Sequence, residues 1–95
     1  MAYVLAVKIT AAAGDEEELH RWLKQITALT RQEDGCTMFV LHRDISDPHV
    51  FFIYEHFVDR AAHDAHLETD HFKNIAEVEI MPRAAKFELT ELELL

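Results

Sequence analysis

The sequence predicts an α+β domain: a four-stranded antiparallel sheet with its helices on one face. Three observations predict it. Strand-like and helix-like segments follow in the order β-α-β-β-α-β, the split βαβ arrangement of ferredoxin-like folds. The two middle strands are joined by a short polar turn, so they should pair as an antiparallel hairpin. The chain's 95 residues leave room for one domain, residues 1–95, and no second.

The opening run "AYVLAVKITA" is continuous and rich in Val, Leu and Ile. It reads as a strand buried on part of both faces. "AAGDEEELH" then changes the period. Gly14 and Asp15 offer a turn and an N-cap, and Glu16, Glu17 and Glu18 sit where the helix dipole favours negative charge. Leu19, Trp22, Leu23, Ile26 and Leu29 form one apolar stripe over roughly four turns. "EDG" should end this helix, with Gly35 as a left-handed terminator.

"CTMFVLHRD" is the second strand, Cys36 to about Arg43, and "DISDPH" a polar turn closed by Pro48. "VFFIYEHF", Val50 to Phe57, is the third strand, dense in aromatic and β-branched residues. Asp59 caps a second helix, "RAAHDAHL". Thr69 or Asp70 caps a further helical piece, "HFKNIAEVEI", which ends before Pro82. "AKFELTELELL" is strand-like, and its alternation changes phase near Glu91, predicting a bulge or a fraying end.

Nine Lys plus Arg stand against eighteen Asp plus Glu, a formal charge of −9. That argues against a phosphate-backbone binder, because nothing here could replace nucleic-acid counterions, and equally against anionic membrane surfaces. No apolar run approaches the ~20 residues of a transmembrane helix. The N-terminus lacks the basic region and small-residue cleavage site of a signal peptide, so a cytoplasmic protein is expected. Cys36 is the single cysteine, which leaves no disulfide framework and no cysteine-rich zinc site. No cationic residue beside it would activate it as a nucleophile.

The layout leaves one sheet face without cover from the chain. Yet the middle strands are apolar on both parities: Met38 and Val40 alternate with Phe39 and Leu41, and Phe52 and Tyr54 with Phe51 and Ile53. A bare face of this kind exceeds the roughly 300–600 Å² apolar patch that monomers carry. Two copies are therefore expected to stack their sheets around a two-fold axis.

Four short blocks carry a family resemblance: "EDGC" (Glu33 to Cys36), "LHRD" (Leu41 to Asp44), "YEHF" (Tyr54 to Phe57) and "HLETDHF" (His66 to Phe72). In this order and spacing the chain resembles the antibiotic-biosynthesis-monooxygenase-like (ABM) domains of the dimeric α/β-barrel superfamily. The resemblance spans essentially the whole chain. It implies a homodimer with a cavity in each subunit between sheet and helices. Several members of that family oxygenate phenolic polyketides or quinols without metal, flavin or haem; other relatives degrade haem, isomerise a small phosphorylated signal, or have no known reaction. The haem-degrading relatives use an asparagine on strand one, a tryptophan in the second helix and a histidine just after the "FK" pair. The matching positions here are Val7, His66 and Ala76, which remove haem chemistry.

Four of the seven histidines lie between Tyr54 and Phe72: His56, His63, His66 and His71. His63 and His66 are three apart on one helix, but the spacing matches no zinc or iron signature, so no metal is expected. His66 and His71 flank the helix break at "ETD", which in the resembling family lines the mouth of the cavity. A histidine there, with an ordinary pKa near ~6.5, could deprotonate a phenol or enol. The electron-rich anion could then react directly with O₂ in a dry pocket, with no cofactor. Either histidine could instead be structural: His66 bonding the last carbonyls of its helix, His71 fixing the joint. His63 reads as a surface residue.

Trp22, Phe39, Tyr54 and Phe72 are candidate walls for an aromatic substrate or, equally, core fillers. Glu55, amid "VFFIYEHF", is costly if buried alone; a salt bridge to Arg43 or to a second subunit is expected, or the orientation of a histidine. The leading expectation is a cofactor-independent monooxygenase acting on a small phenol or quinol, with His66 and His71 as acid–base residues. A non-catalytic small-molecule-binding dimer and an isomerase of a small keto compound are the alternatives.

Overall fold

A computed structural model describes all residues from Met1 to Leu95. The elements run β1 (Tyr3–Ala11), α1 (Glu16–Thr30), β2 (Cys36–Arg43), β3 (Val50–Phe57), α2 (Arg60–Leu67), α3 (Phe72–Ile80), a 3₁₀ turn (Met81–Arg83) and β4 (Ala84–Leu92). The sheet order is β2-β3-β1-β4 with every pair antiparallel, the expected ferredoxin-like topology. No helix is long and apolar enough to cross a membrane.

Strand parity sorts the core. In β1, Leu5, Val7, Ile9 and Ala11 are buried; in β3, Phe51, Ile53, Glu55 and Phe57 face the same way. The helices cover this side: Leu19, Leu23 and Ile26 of α1 and Ile75, Ala76 and Ile80 of α3 join one core cluster with the strands. The stripe of α1 ends a turn early, because Leu29 is exposed. Thr27 and Thr30 are buried instead, and Thr27 Oγ1 donates to the Leu23 carbonyl at 2.7 Å, the usual way a helix accommodates an inward hydroxyl.

Several local expectations need correction. Asp15 occupies the N-cap of α1, but its side chain makes no capping bond; the acidic first turn is left to act through the dipole. Gly35 is not left-handed, since Gly14 alone has a positive φ. A Cβ on Gly35 would come closer than 3.0 Å to Ala62 Cβ, so this glycine is required by the close approach of α2. The bulge of β4 lies at its start, opposite Thr10 and Ala11, and pairing is regular from there to Leu92. No bulge occurs near Glu91; the strand ends at Leu92, and residues 93–95 lie outside the sheet.

Asp59 caps α2 as expected, accepting from Ala62 N–H at 2.8 Å. Thr69 caps the next segment, its Oγ1 accepting from Phe72 N–H and donating to the His66 carbonyl. That segment is wound as a π-helix, closed by a bond from Met81 N–H back to the Ala76 carbonyl. Pro82 sits in the 3₁₀ turn that ends it.

The other sheet face carries Met38, Val40, Phe52 and Tyr54 across β2 and β3. No segment of the chain lies over it: Met38 is 41% and Phe52 38% exposed. It is less uniformly apolar than its middle strands imply, because β1 contributes Lys8, which stands over the Phe52 ring.

Candidate functional site

Between sheet and helices lies a cavity of about 50 Å³. Leu23 and Ile26 of α1, Phe39 of β2, and Phe72 and Ala76 of α3 wall it, and β4 contributes Phe87. Two polar side chains reach it, Glu55 from β3 and His66 from α2. About 10–15 Å³ of such space holds a water, so this cavity takes roughly three to five waters, a space on the scale of one aromatic ring.

His66 is 3% exposed and packs among the rings of Phe39, Phe57 and Phe72. Its Nδ1 lies 2.8 Å from Glu33 Oε2, and His71 Nε2 reaches the same oxygen at 2.5 Å. An ionised carboxylate only accepts hydrogen bonds. Each histidine therefore presents an N–H to Glu33, and His66 is held as the tautomer whose Nε2 is a free acceptor. Burial pushes the His66 pKa below its ordinary value, and the bond and charge of Glu33 work against that shift. The outcome is a neutral imidazole at neutral pH, oriented by a carboxylate: the arrangement of a general base.

The local fold explains the meeting. Glu33 follows α1 in the turn to β2, two residues before Gly35. The missing Cβ of Gly35 lets α2 approach, and that approach delivers His66 to Glu33. The cap at Thr69 turns the chain so that His71 arrives from the other side.

Glu33 Oε, His66 Nδ1 and His71 Nε2 all lie within 4.8 Å of one another. Two imidazoles and one carboxylate form a donor set that a divalent transition ion can take. The same atoms are satisfied as a carboxylate accepting two N–H bonds, so the geometry is complete without an ion.

Glu55 is 7% exposed. The expected salt bridge to Arg43 does not form: Arg43 pairs with Glu17 and lies over the Phe51 ring. Burial, and next the charge of Glu33, push the Glu55 pKa up from 4.5 to about 8. No hydrogen bond contributes to that shift. The carboxyl is thus a neutral acid at pH 7 inside an apolar chamber.

The structure brings together His66 and His71, and places Phe39 and Phe72 on the cavity wall. Trp22 packs against the core and donates from Nε1 to Glu18 at 3.1 Å, outside the cavity lining. Tyr54 is on the opposite sheet face, bonded through its hydroxyl to His56 Nε2 at 2.9 Å. His66 does not cap its helix, since its ring is committed to Glu33. His63 is half-buried, not a surface residue, with its ring against Tyr3 and Phe57. Burial also raises the Cys36 thiol pKa, consistent with an unreactive cysteine. The residue missed from sequence is Glu33. Its signal was available in "EDGC", where a carboxylate sits within the helix-to-strand turn, but nothing linear connects it to residues 66 and 71.

A family model described as antibiotic biosynthesis monooxygenase matches residues 2–78. No curated protein matches the chain significantly. Among solved structures, PA3566 from Pseudomonas aeruginosa is 34% identical with a TM-score of 0.91, over 99% of this chain and 94% of that one. A structure described as an antibiotic biosynthesis monooxygenase is 25% identical with a TM-score of 0.89, over 100% and 99%. SO0527 from Shewanella oneidensis is 26% identical with a TM-score of 0.87, over 96% and 88%.

Proposed function

The chain belongs to the antibiotic biosynthesis monooxygenase family, and from that premise we propose that it oxygenates a small, single-ring phenol or quinol without a cofactor. The observation that carries this reading is His66, held by Glu33, on the wall of a cavity whose lining is apolar apart from His66 and Glu55. His66 Nε2 takes the phenolic proton. The phenolate passes electron density to its ring, and a ring carbon reduces O₂, forming a C–O bond and a peroxide. Loss of the proton on that carbon then breaks the O–O bond, leaving a carbonyl and releasing hydroxide. Hydroxide recovers the first proton from the imidazolium. For a hydroquinone the balance is hydroquinone plus O₂ to hydroxyquinone plus water.

The apolar walls exclude competing water and strengthen the local electrostatics. His71 acts through Glu33: its N–H fixes the carboxylate that fixes His66. The isomerase alternative has less support, because no Lys or Arg lines the cavity to hold a phosphate. The working unit in this reading is a homodimer stacked through the uncovered sheet face.

The experiment is oxygen uptake with a panel of single-ring hydroquinones and phenols. His66→Ala is expected to lower kcat by about 100-fold or more, the contribution of a positioned general base. His71→Ala should cost less, since its role is orientation. Rates unchanged in both variants would refute the assignment.

A further inference from the structure

We propose that Glu55 is the second proton-transfer group of this site: its neutral carboxyl protonates the peroxide formed on the substrate, and the resulting carboxylate takes the proton from the carbon that bears it. This rests on the oxygenase reading above and supplies the half of the reaction that His66 does not serve. His66 takes one proton and returns it to the departing hydroxide. Glu55 gives one proton to the terminal peroxide oxygen and regains one from carbon as the O–O bond breaks. Both groups end as they began, and substrate plus O₂ becomes product plus water.

The geometry carries the proposal. β3 places Glu55 on the helix side of the sheet, with Phe39 on one flanking strand and Leu5 on the other. Its carboxyl reaches the same small chamber as His66, and no ion pair or hydrogen bond of the protein engages it. An unpartnered buried carboxyl destabilises a fold, and such groups concentrate where chemistry uses them. The polar groups around it are few. Glu33 faces it from the α1–β2 turn, and its charge reinforces the neutral acid. His66 comes from α2, with His71 behind Glu33. Cys36 on β2 feels its charge, and Arg31 is occupied by the Phe39 carbonyl. From α1, α3 and β4 the lining is apolar: Leu23, Ile26, Phe72, Ala76 and Phe87.

The test uses a hydroquinone that the wild-type protein turns over. Mixed without oxygen, wild type and Glu55→Gln should show the same phenolate absorbance, because the first proton goes to His66. With oxygen, Glu55→Gln should turn over about 100-fold more slowly, and Glu55→Asp should recover part of the loss. Wild-type kcat should fall as pH rises through about 8, where Glu55 ionises, and Glu55→Gln should lack that limb. Turnover by Glu55→Gln within about three-fold of wild type would overturn the role of Glu55 and leave His66 as base. Should the variant not fold, a wild-type kcat that stays flat to about pH 9.5 overturns it equally. A wild-type protein that neither ionises nor oxygenates any of the panel fails the oxygenase reading itself.

Discussion

Gly35 offers a test of how the site is assembled that needs no substrate. Its φ is unexceptional, so alanine there is allowed by the backbone. Replacing glycine where the backbone permits it stabilises by about 0.4–1 kcal/mol through the unfolded state. Against this, the new methyl would meet Ala62 Cβ closer than 3.0 Å, and overpacking of this kind costs about 1–3 kcal/mol. Ala62 Cα and Val58 Cγ2 would lie at 3.5 and 3.7 Å, ordinary contacts. The clash therefore resides in one methyl, and Gly35→Ala should destabilise by about 0–2.6 kcal/mol net.

Ala62→Gly removes that methyl. Alone it should cost about 1 kcal/mol, the helix penalty of glycine. Combined with Gly35→Ala it should relieve the clash, so the double variant should be at least as stable as Gly35→Ala alone. A double-mutant cycle in urea denaturation should return a favourable coupling of about 1–3 kcal/mol. Coupling within about 0.3 kcal/mol of zero would refute the argument that contact between the glycine and α2 sets their spacing. The same cycle reads on the site, since moving α2 outward separates His66 from Glu33.

Two further outcomes follow from the buried carboxyl and the bare sheet face. The folded pKa of Glu55 is raised from 4.5 to about 8, so its favourable contribution is fully present below pH 4.5 and is lost as pH rises toward 8. At ~1.36 kcal/mol per unit, the stability of wild type relative to Glu55→Gln should fall by about 3 kcal/mol between pH 4.5 and 7, and parallel urea profiles would refute it. Wild type should sediment at twice the 11.0 kDa chain mass, and Phe52→Glu, on the uncovered face, should shift it to one; a variant that stays dimeric would place the interface elsewhere.

The fold was legible because periodicity changes sharply along the chain. The bounds of β2 and β3 follow from continuous apolar runs closed by "EDG" and "DPH". The misreadings concern contacts between residues distant in sequence. Gly35 reads as a helix terminator because that is a common role for glycine after a helix; only Ala62, placed by the fold, reveals steric need. Glu55 reads as a salt-bridge partner because Arg43 is on the neighbouring strand. The pairing sets Glu55 opposite Phe39 and Arg43 opposite Phe51, and Arg43 turns to Glu17 on α1. The site was half legible. His66 and His71 flank one helix break, so their proximity is local; Glu33 joins them across 33 and 38 positions.

The same geometry sets the stability of the site against its chemistry. Glu33 satisfies two N–H groups and costs little, since each buried donor has an acceptor. Glu55 has no such partner, and its neutral state at pH 7 is maintained by apolar walls and by the repulsion of Glu33. One carboxylate therefore serves two opposite purposes: it draws a proton on His66 Nδ1 toward itself, freeing Nε2 to accept, and it keeps a proton on Glu55. Glu33→Gln would weaken both effects at once, lowering the His66 pKa further and removing the smaller, electrostatic part of the Glu55 shift while burial keeps that pKa raised. A base and an acid in one chamber are what a reaction that moves two protons requires: burial favours the neutral form of each, while Glu33 orients the first and reinforces the second.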